Sequence, residues 1–241
     1  MNPAVRIAKR ALDVAGSLFG LAVTVPLYPI IGLAIYLDSP GPLIFRQRRA
    51  GRLRGHDQSS GQFTFDEFLM FKFRTMSPDA EKHTGVVLAA ERDPRVTRVG
   101  RFLRRTRLDE IPQFWNVLFG DMSIVGPRPE RPELISNLAL AIPFFEERMR
   151  NVRPGITGLA QISLGYSGSA PPDSEVGRYL ETLVNPFQLE EANDADADDM
   201  RLKMLFDLAY TASLEDFQSF LRTEFGVIVK TPWVMLRGLG R

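Results

Sequence analysis

The sequence has no cysteine and only two histidines, His56 and His83. The first absence excludes disulfide frameworks, thiolate zinc sites and cysteine nucleophiles together. The second leaves no basis for an imidazole-rich catalytic or metal site, so any chemistry must rest on carboxylates, lysine, arginine or hydroxyls. A Gly-x-Gly-x-x-Gly fingerprint, a Gly-Lys-Ser/Thr phosphate loop and a His-Glu-x-x-His pair are also missing, which removes three common nucleotide and zinc signatures. No internal repeat is present. One stretch lacks charge altogether: the 24 residues from Val14 to Leu37, between Asp13 and Asp38.

What remains is an ordinary folding composition. The chain has 241 residues, 44% hydrophobic and 24% charged, enough for one domain or a domain with an appendage. The net charge of +1 conceals an asymmetry. Residues 1–110 carry 18 Lys and Arg against 11 Asp and Glu, whereas residues 111–241 carry 12 against 18. A basic half points to an anionic partner: a phosphate, a nucleic acid or a lipid surface.

As one helix, the uncharged run would be about 36 Å long, enough to cross a hydrocarbon core of about 30 Å. Arg6, Lys9 and Arg10 before it would suit a secretory signal peptide. The run is long for that role, however, and no small-residue cleavage site follows before Asp38. Two features oppose a simple span. Pro26 and Pro29 interrupt its middle, where each removes a backbone donor and clashes with the preceding turn. Each half is then about 12 residues, or about 18 Å, too short to cross alone. Basic residues also flank both ends, with Arg46, Arg48 and Arg49 on the far side, and basic flanks favour the cytoplasmic face. A helix that enters, breaks at Pro26 and returns to the same face meets both features. Thr24 is placed to hydrogen-bond a carbonyl freed at the break. A bent spanning helix and a buried core helix remain the alternatives.

Asp38-Ser-Pro-Gly-Pro42 forms a turn. Leu43–Arg48 and Phe63–Arg74 read as strands of a hairpin, joined by a polar, exposed loop over Gly51–Gly61. Arg98, Arg101, Arg104 and Arg105 recur at helical spacing. A second helix starts near Asp109 and ends at Gly120-Asp121, since Pro112 is tolerated only in a first turn. Gly155, Gly158, Gly165 and Gly168 mark a loop-rich stretch. Residues 190–199, EEANDADADD, form an acidic solvated segment, and its Asp194, Asp196 and Asp198 read as linker more readily than as a metal-binding D-x-D motif. Arg201–Tyr210 is helical. In the last 25 residues Phe217, Phe220, Leu221, Phe225, Val229, Trp233 and Leu236 fall near helical spacing, which suits a membrane-interfacial helix or one facing a core.

The informative constellation is Asp109-Glu110 behind five arginines, Arg98, Arg101, Arg104, Arg105 and Arg107. A helix start and nearby arginines favour the ionised carboxylates. The arginines exceed what two acids need, so a further anion is expected. Arginine suits bidentate phosphate contact, and two carboxylates beside a diphosphate make a Mg²⁺ site. A surface ion-pair network is the competing reading. In Pro127-Arg128-Pro129 the prolines restrict the backbone and hold Arg128 for anion recognition, or form a rigid exposed turn. Alternation along Phe71-Lys72-Phe73-Arg74 puts Lys72 and Arg74 on one strand face.

The order of these segments resembles the bacterial sugar transferases, the monotopic phosphoglycosyl transferases that prime polysaccharide synthesis. The matching pieces are Lys9-Arg10 with Asp13 and the Pro-broken helix, Asp38-Ser-Pro-Gly-Pro with Phe45-Arg-Gln47, Lys72-Phe-Arg-Thr-Met76, and Asp93-Pro-Arg-Val-Thr-Arg-Val-Gly-Arg-Phe-Leu-Arg104. They continue through Leu108-Asp-Glu-Ile-Pro-Gln-Phe-Trp-Asn-Val-Leu118, Gly120-Asp-Met-Ser-Ile-Val-Gly-Pro-Arg-Pro-Glu130 and Arg153-Pro-Gly-Ile-Thr-Gly-Leu-Ala-Gln161. The resemblance implies transfer of a phosphosugar from a UDP-sugar to polyprenyl phosphate, usually undecaprenyl phosphate, with release of UMP. By that likeness Asp109 is the nucleophile that carries a covalent phosphosugar, and Glu110 completes the dyad and helps hold Mg²⁺. Arg104 contacts the diphosphate, Pro127, Arg128 and Pro129 bind the nucleotide, and Lys72 and Arg74 line the site.

The implied architecture is α+β. It has a re-entrant membrane helix-break-helix over 1–38 and a catalytic core with a β-hairpin over 39–163. A variable loop and acidic segment follow over 164–200, then interfacial amphipathic helices over 201–241. The implied setting is the bacterial inner membrane, monotopic, with the site facing the cytoplasm. The implied partners are UDP-sugar, polyprenyl phosphate and membrane lipid, with no nucleic acid and with homodimerisation left open. The sequence departs from the family at Val25, where Ser is frequent, and at Arg107, where a small hydroxyl residue is common. Gly51–Gly61 is long, and Leu164–Asp199 matches poorly, so the sugar is not specified. A basic adaptor binding anionic lipid is the alternative function. A nucleic-acid binder using Arg98–Arg107 is a third, disfavoured by the apolar run and the adjoining carboxylates.

Overall fold

The N-terminal helix breaks where the prolines require it. In a computed structural model describing residues 1–57, 62–78, 80, 93–164 and 195–236, α1 (Pro3–Thr24) leads into a 3-10 turn (Val25–Leu27) and then α2 (Tyr28–Asp38). Asn2 caps α1 by accepting from the Ala4 N–H, and Pro3 lies in the first turn, where its missing donor costs nothing. Thr24 donates its hydroxyl to the Gly20 carbonyl at 2.6 Å, a back-bond within α1 rather than the expected bond to the Ala22 carbonyl that Pro26 frees. By length and composition the 36 residues from Pro3 to Asp38 suffice to cross a membrane. Leu18, Phe19, Val23, Ile30, Leu33 and Leu37 are exposed along them.

Both ends of this segment are tied to the rest of the chain. On α1 the buried residues Val5, Lys9, Asp13, Ser17, Gly20 and Leu21 recur every three or four positions, so one face docks. Lys9 bonds Asp13 at 3.2 Å and Glu224 at 3.0 Å, inside the protein. Arg10 donates to the carbonyls of Val117 and Leu118. Two of the three basic residues that read as flanking charge are therefore structural. At the other end, Asp38 accepts from the Val99 N–H at 2.8 Å.

The remaining architecture is α+β. Strands β1 (Ile44–Asp57) and β2 (Gln62–Phe73) form the hairpin, with Ile44 opposite Phe73 and Asp57 opposite Gln62. Gly51–Asp57 thus continue a strand, which corrects the loop read there from polarity; residues 58–61 lie outside the described part. A two-stranded arm has two wet edges, so it can carry polar residues wherever cross-strand partners exist. Leu53 stands opposite Phe65, and Arg52 and Arg54 both pair with Asp66. Register shifts on either side of Leu53 absorb the extra residues.

Helix α3 (Arg98–Thr106) has Thr97 as its N-cap, accepting from the Gly100 N–H. Helix α4 (Gln113–Phe119) ends on Gly120 at φ 94°, a left-handed value that suits glycine. The short β3 (Ser123–Val125) pairs in parallel with β4 (Gly155–Thr157). Around them lie α5 (Pro132–Ala141), a 3-10 turn at Phe145–Met149 and α6 (Leu159–Leu164). Helix α7 (Ala195–Ser213) starts six residues before the expected Arg201 and takes in half of the acidic segment, where Ala195 and Ala197 are strong helix formers. Gly165, Gly168, Asp194 and most of the variable stretch lie outside the described residues.

Helix α8 (Phe217–Leu236) answers the core-or-interface question with two faces. Phe220, Val227 and Val234 are buried, and Phe225, Val229 and Trp233 are exposed. Apolar packing is divided among small clusters. One joins Val5, Val125, Tyr210, Phe220 and Val227. Another joins Ile31, Ile35, Phe73, Leu103 and Ile111, which seats α2 against the hairpin and α3.

Candidate active site

Asp109 and Glu110 do not start a helix. Arg107 takes a left-handed backbone conformation (φ 58°, ψ 15°), and Leu108–Glu110 then make a single 3-10 turn. Pro112 caps α4, which begins only at Gln113. The expected helix start moves because a proline can enter a helix only at its beginning. A one-turn segment carries little dipole, so neighbouring side chains and burial set the state of the two acids.

Those neighbours separate them. Both carboxylates are buried. Glu110 Oε1 accepts from Lys72 Nζ at 3.2 Å and Arg128 Nη2 at 3.3 Å, with Arg107 Nη1 at 3.7 Å. Burial alone would raise the Glu110 pKa, but Lys72, Arg128 and Arg107 together hold it far below the usual range. Asp109 goes the other way. Burial, then the adjacent Glu110 charge, push it up to about 6 against the pull of Lys72, Arg107 and Arg104. The expectation that both acids are favoured in their ionised forms is corrected for Asp109, because Glu110 takes most of the cations. Asp109 Oδ1 is buried without a hydrogen-bond partner. The pair thus comprises one fixed anion and one carboxyl with an open oxygen, the divergence that assigns different roles to neighbouring acids.

Two of the five arginines near the acids, Arg104 and Arg107, act on them; Arg98, Arg101 and Arg105 are exposed on the opposite face of α3. Arg104 donates Nε to Thr75 Oγ1 at 2.8 Å. This depends on Gly100, where an added Cβ would sit 2.0 Å from the Thr75 carbonyl oxygen. The alternation that places Lys72 and Arg74 together brings only Lys72 onto Glu110. Arg74 turns to the carbonyls of Ser39 and Pro40 and pins the turn after α2.

The Pro127-Arg128-Pro129 strap is held at every carbonyl. Pro127 accepts from the Gly155 N–H at 2.8 Å, Arg128 from the fully buried Arg148 at 3.2 Å, and Pro129 from Arg49 at 3.0 Å. Arg148 also pairs with Asp207 of α7 at 2.7 Å. A small cleft beside the acids is lined by Arg49, Met70, Lys72, Gln113, Arg128 and Pro129. Neither carboxylate lines this cleft, which adjoins Glu110 through Lys72 and Arg128, and neither lines a larger hollow near Met1, Arg150 and Leu214. Arg49 and Gln113 were not singled out by motif, since nothing in the sequence brings β1 to the strap.

Among the described residues no group of three or more Asp, Glu or His could hold a metal. The two adjacent acids, with the open Asp109 oxygen, still fit a hard divalent ion that keeps waters and takes further oxygens from a diphosphate.

Comparison with known proteins agrees with the order of motifs. The family model described as bacterial sugar transferase matches residues 4–238. The UDP-N-acetylgalactosamine-undecaprenyl-phosphate N-acetylgalactosaminephosphotransferase of Aeromonas hydrophila is 34% identical over 239 residues, 99% of this chain and 46% of that protein. A putative undecaprenyl-phosphate N-acetylgalactosaminyl 1-phosphate transferase of Bacillus subtilis (strain 168) is 43% identical over 158 residues, 64% of this chain and 82% of that protein. The UDP-glucose:undecaprenyl-phosphate glucose-1-phosphate transferase of Escherichia coli (strain K12) is 44% identical over 163 residues, 68% of this chain and 32% of that protein. The chain therefore spans about half of the first relative and about a third of the last.

Proposed function

The chain belongs to the bacterial sugar transferase family, and from that premise we propose that it moves a sugar 1-phosphate from a UDP-sugar to polyprenyl phosphate, initiating a surface glycan. Relatives named for N-acetylgalactosamine and for glucose leave the sugar unassigned and point to undecaprenyl phosphate as acceptor. The observation that carries this reading is the divided acid pair, with an open Asp109 oxygen, beside Lys72, Arg104, Arg107 and Arg128.

The chain's own residues account for the steps. Asp109 Oδ1, free of hydrogen bonds, attacks the sugar-bearing phosphorus. A bond forms between that oxygen and phosphorus, and the bridging P–O bond breaks, so UMP leaves with the electron pair. Lys72 and Arg128 balance the charge that develops on the departing phosphate, and Arg104 neutralises the phosphate being transferred. An oxygen of polyprenyl phosphate then attacks the same phosphorus, which frees the Asp109 carboxylate and yields the lipid diphosphosugar. Glu110 stays charged throughout and fixes Lys72 and Arg128 in place. Mg²⁺, held by Asp109 and Glu110 together with substrate oxygens, would neutralise the diphosphate.

The setting follows from the apolar segment. Lys9, Arg10 and Asp13 at one end and Asp38 at the other all bond to the same globular part. This supports a re-entrant, monotopic helix, with α8 lying in the interface through Phe225, Val229 and Trp233. The basic flanks orient the site toward the cytoplasmic side of the inner membrane. A lipid-borne phosphate and a soluble nucleotide then both reach it. A lipid-binding adaptor gives no reason to bury two acids, one with an open oxygen.

The test uses a panel of UDP-sugars with the full chain in undecaprenyl-phosphate nanodiscs. UMP release with one sugar, a phosphosugar mass adduct on Asp109, and loss of at least about 10³-fold activity in Asp109→Asn are expected. Release of UDP, or turnover without an adduct and undiminished in Asp109→Asn, would overturn the assignment.

A further inference from the structure

Arg49 lines the cleft beside the acids and hydrogen-bonds only neutral acceptors there. Along the hairpin Gln47 stands opposite Met70 and Arg49 opposite Phe68, so Gln47, Arg49, Met70 and Lys72 share one face. That face meets Gln113 and the strap. Arg49 donates Nε and Nη2 to Gln47 Oε1 at 3.1 and 2.6 Å, and Nη1 to the Pro129 carbonyl at 3.0 Å. A guanidinium has five N–H donors, so Nη1 and Nη2 each keep one more. Both partners are neutral. Burial lowers its pKa to about 10; among the surrounding charges Glu130 attracts it most, Arg128 and Arg131 repel it and Glu110 attracts it less. A largely buried cation hydrogen-bonded to neutral acceptors is costly unless an anion joins it.

The cations around the acids are not all in one place: Arg49, Lys72 and Arg128 line the cleft, whereas Arg104 is held outside its lining by Thr75. A diphosphate presents two anionic centres. If Asp109 attacks the sugar-bearing phosphorus, that phosphate lies on the Arg104 side. The second phosphate, which departs with the nucleoside, then falls toward the cleft of Arg49 and Arg128.

We propose that Arg49 is a substrate-binding residue that holds the phosphate of the leaving nucleotide, working with Arg128 across the cleft. The assignment rests on the transferase reading above. Its bond to Pro129 also sets the strap, so the experiment must separate binding from positioning. UMP and uridine serve as probes, since they differ only in the phosphate. Their affinities are measured by equilibrium dialysis against the full chain in nanodiscs, for wild type, Arg49→Gln and Arg49→Lys.

Loss of a charge-assisted contact should weaken UMP about 10- to 100-fold in Arg49→Gln, with uridine changed by less than about twofold. Arg49→Lys keeps the charge but not the fork, so an intermediate loss confined to UMP is expected; it also serves if the glutamine variant does not fold. Equal weakening of UMP and uridine would reduce Arg49 to a strap support, and unchanged UMP affinity in both variants would remove it from the site; either result overturns the proposal. A wild type that releases UDP would overturn the transferase reading and this assignment together. A wild type that releases UMP, with Arg49 variants binding UMP normally, defeats this one alone.

Discussion

In the proposed transfer Asp109 must be ionised to act on phosphorus, and burial next to Glu110 raises its pKa to about 6. The carboxylate form therefore dominates above that pH and is lost below it. The logarithm of kcat/KM should be level above about pH 7 and fall by about one unit per pH unit below about 6, where a free aspartate would hold activity to about pH 4. Glu110→Gln removes a charge that raises Asp109, so the acid limb of the surviving activity should move to lower pH. A limb that stays in place would show that Glu110 does not set the Asp109 proton. The acids themselves were legible in the sequence, because a paired Asp-Glu behind clustered arginine is a local signal. Their difference was not. It arises from Lys72 and Arg128, which lie 38 and 18 residues away from Glu110 and reach it only through the fold. Arg49 was not legible for the same reason, and strand alternation gives a face without saying what covers it, so it did not show that Arg74 bonds the carbonyls of Ser39 and Pro40.

At the level of the element, α3 delivers Arg104 by close approach. Gly100 lets its backbone lie against Thr75, and an added Cβ would meet the Thr75 carbonyl oxygen at 2.0 Å. Gly100→Ala must push α3 away and break the Arg104–Thr75 bond, with a stability loss of about 1–3 kcal/mol and a fall in kcat/KM of about tenfold or more. Gly226 is the internal comparison: it lies in α8 with open space around the position. There Gly226→Ala should be neutral or stabilising by up to about 1 kcal/mol. Chemical denaturation of both variants tests this, and equal effects would show that close packing at Thr75 is not what Gly100 supplies. Helix α3 was readable from arginine spacing, and the N-terminal break from Pro26. The hairpin was readable from its two aromatic and β-branched runs. The continuation of its first strand through Gly51–Asp57 was not, because Arg52 and Arg54 there pair with Asp66 across the strands and such pairing leaves no hydrophobic period in the sequence.

At the scale of the whole molecule, the apolar segment rests on the globular part on both sides of its break: Gly20 lies close to Phe114, and Ile31 and Ile35 pack with Phe73, Leu103 and Ile111. Lys9, Arg10 and Asp13 anchor the first end, and Asp38 and the Arg74 contacts anchor the second. A helix crossing the bilayer would place these anchors about 30 Å apart, which would break one set or the other. The proposed re-entrant path would keep both, and would put the exposed Leu18, Phe19, Val23, Ile30, Leu33 and Leu37 into lipid. The chain has no cysteine, so single-cysteine variants can report topology directly. Ala4→Cys and Arg48→Cys, both at exposed positions, flank the segment, and Leu27→Cys lies at the break. In sealed inside-out inner-membrane vesicles a membrane-impermeant maleimide should label positions 4 and 48 from the outer solution and leave position 27 unlabelled. In right-side-out vesicles none of the three should react. Labelling of 4 and 48 from opposite sides would establish a span, and ready labelling of 27 in water would make the segment a soluble core helix. Either result would also detach the site from the interface, where its lipid phosphate must arrive.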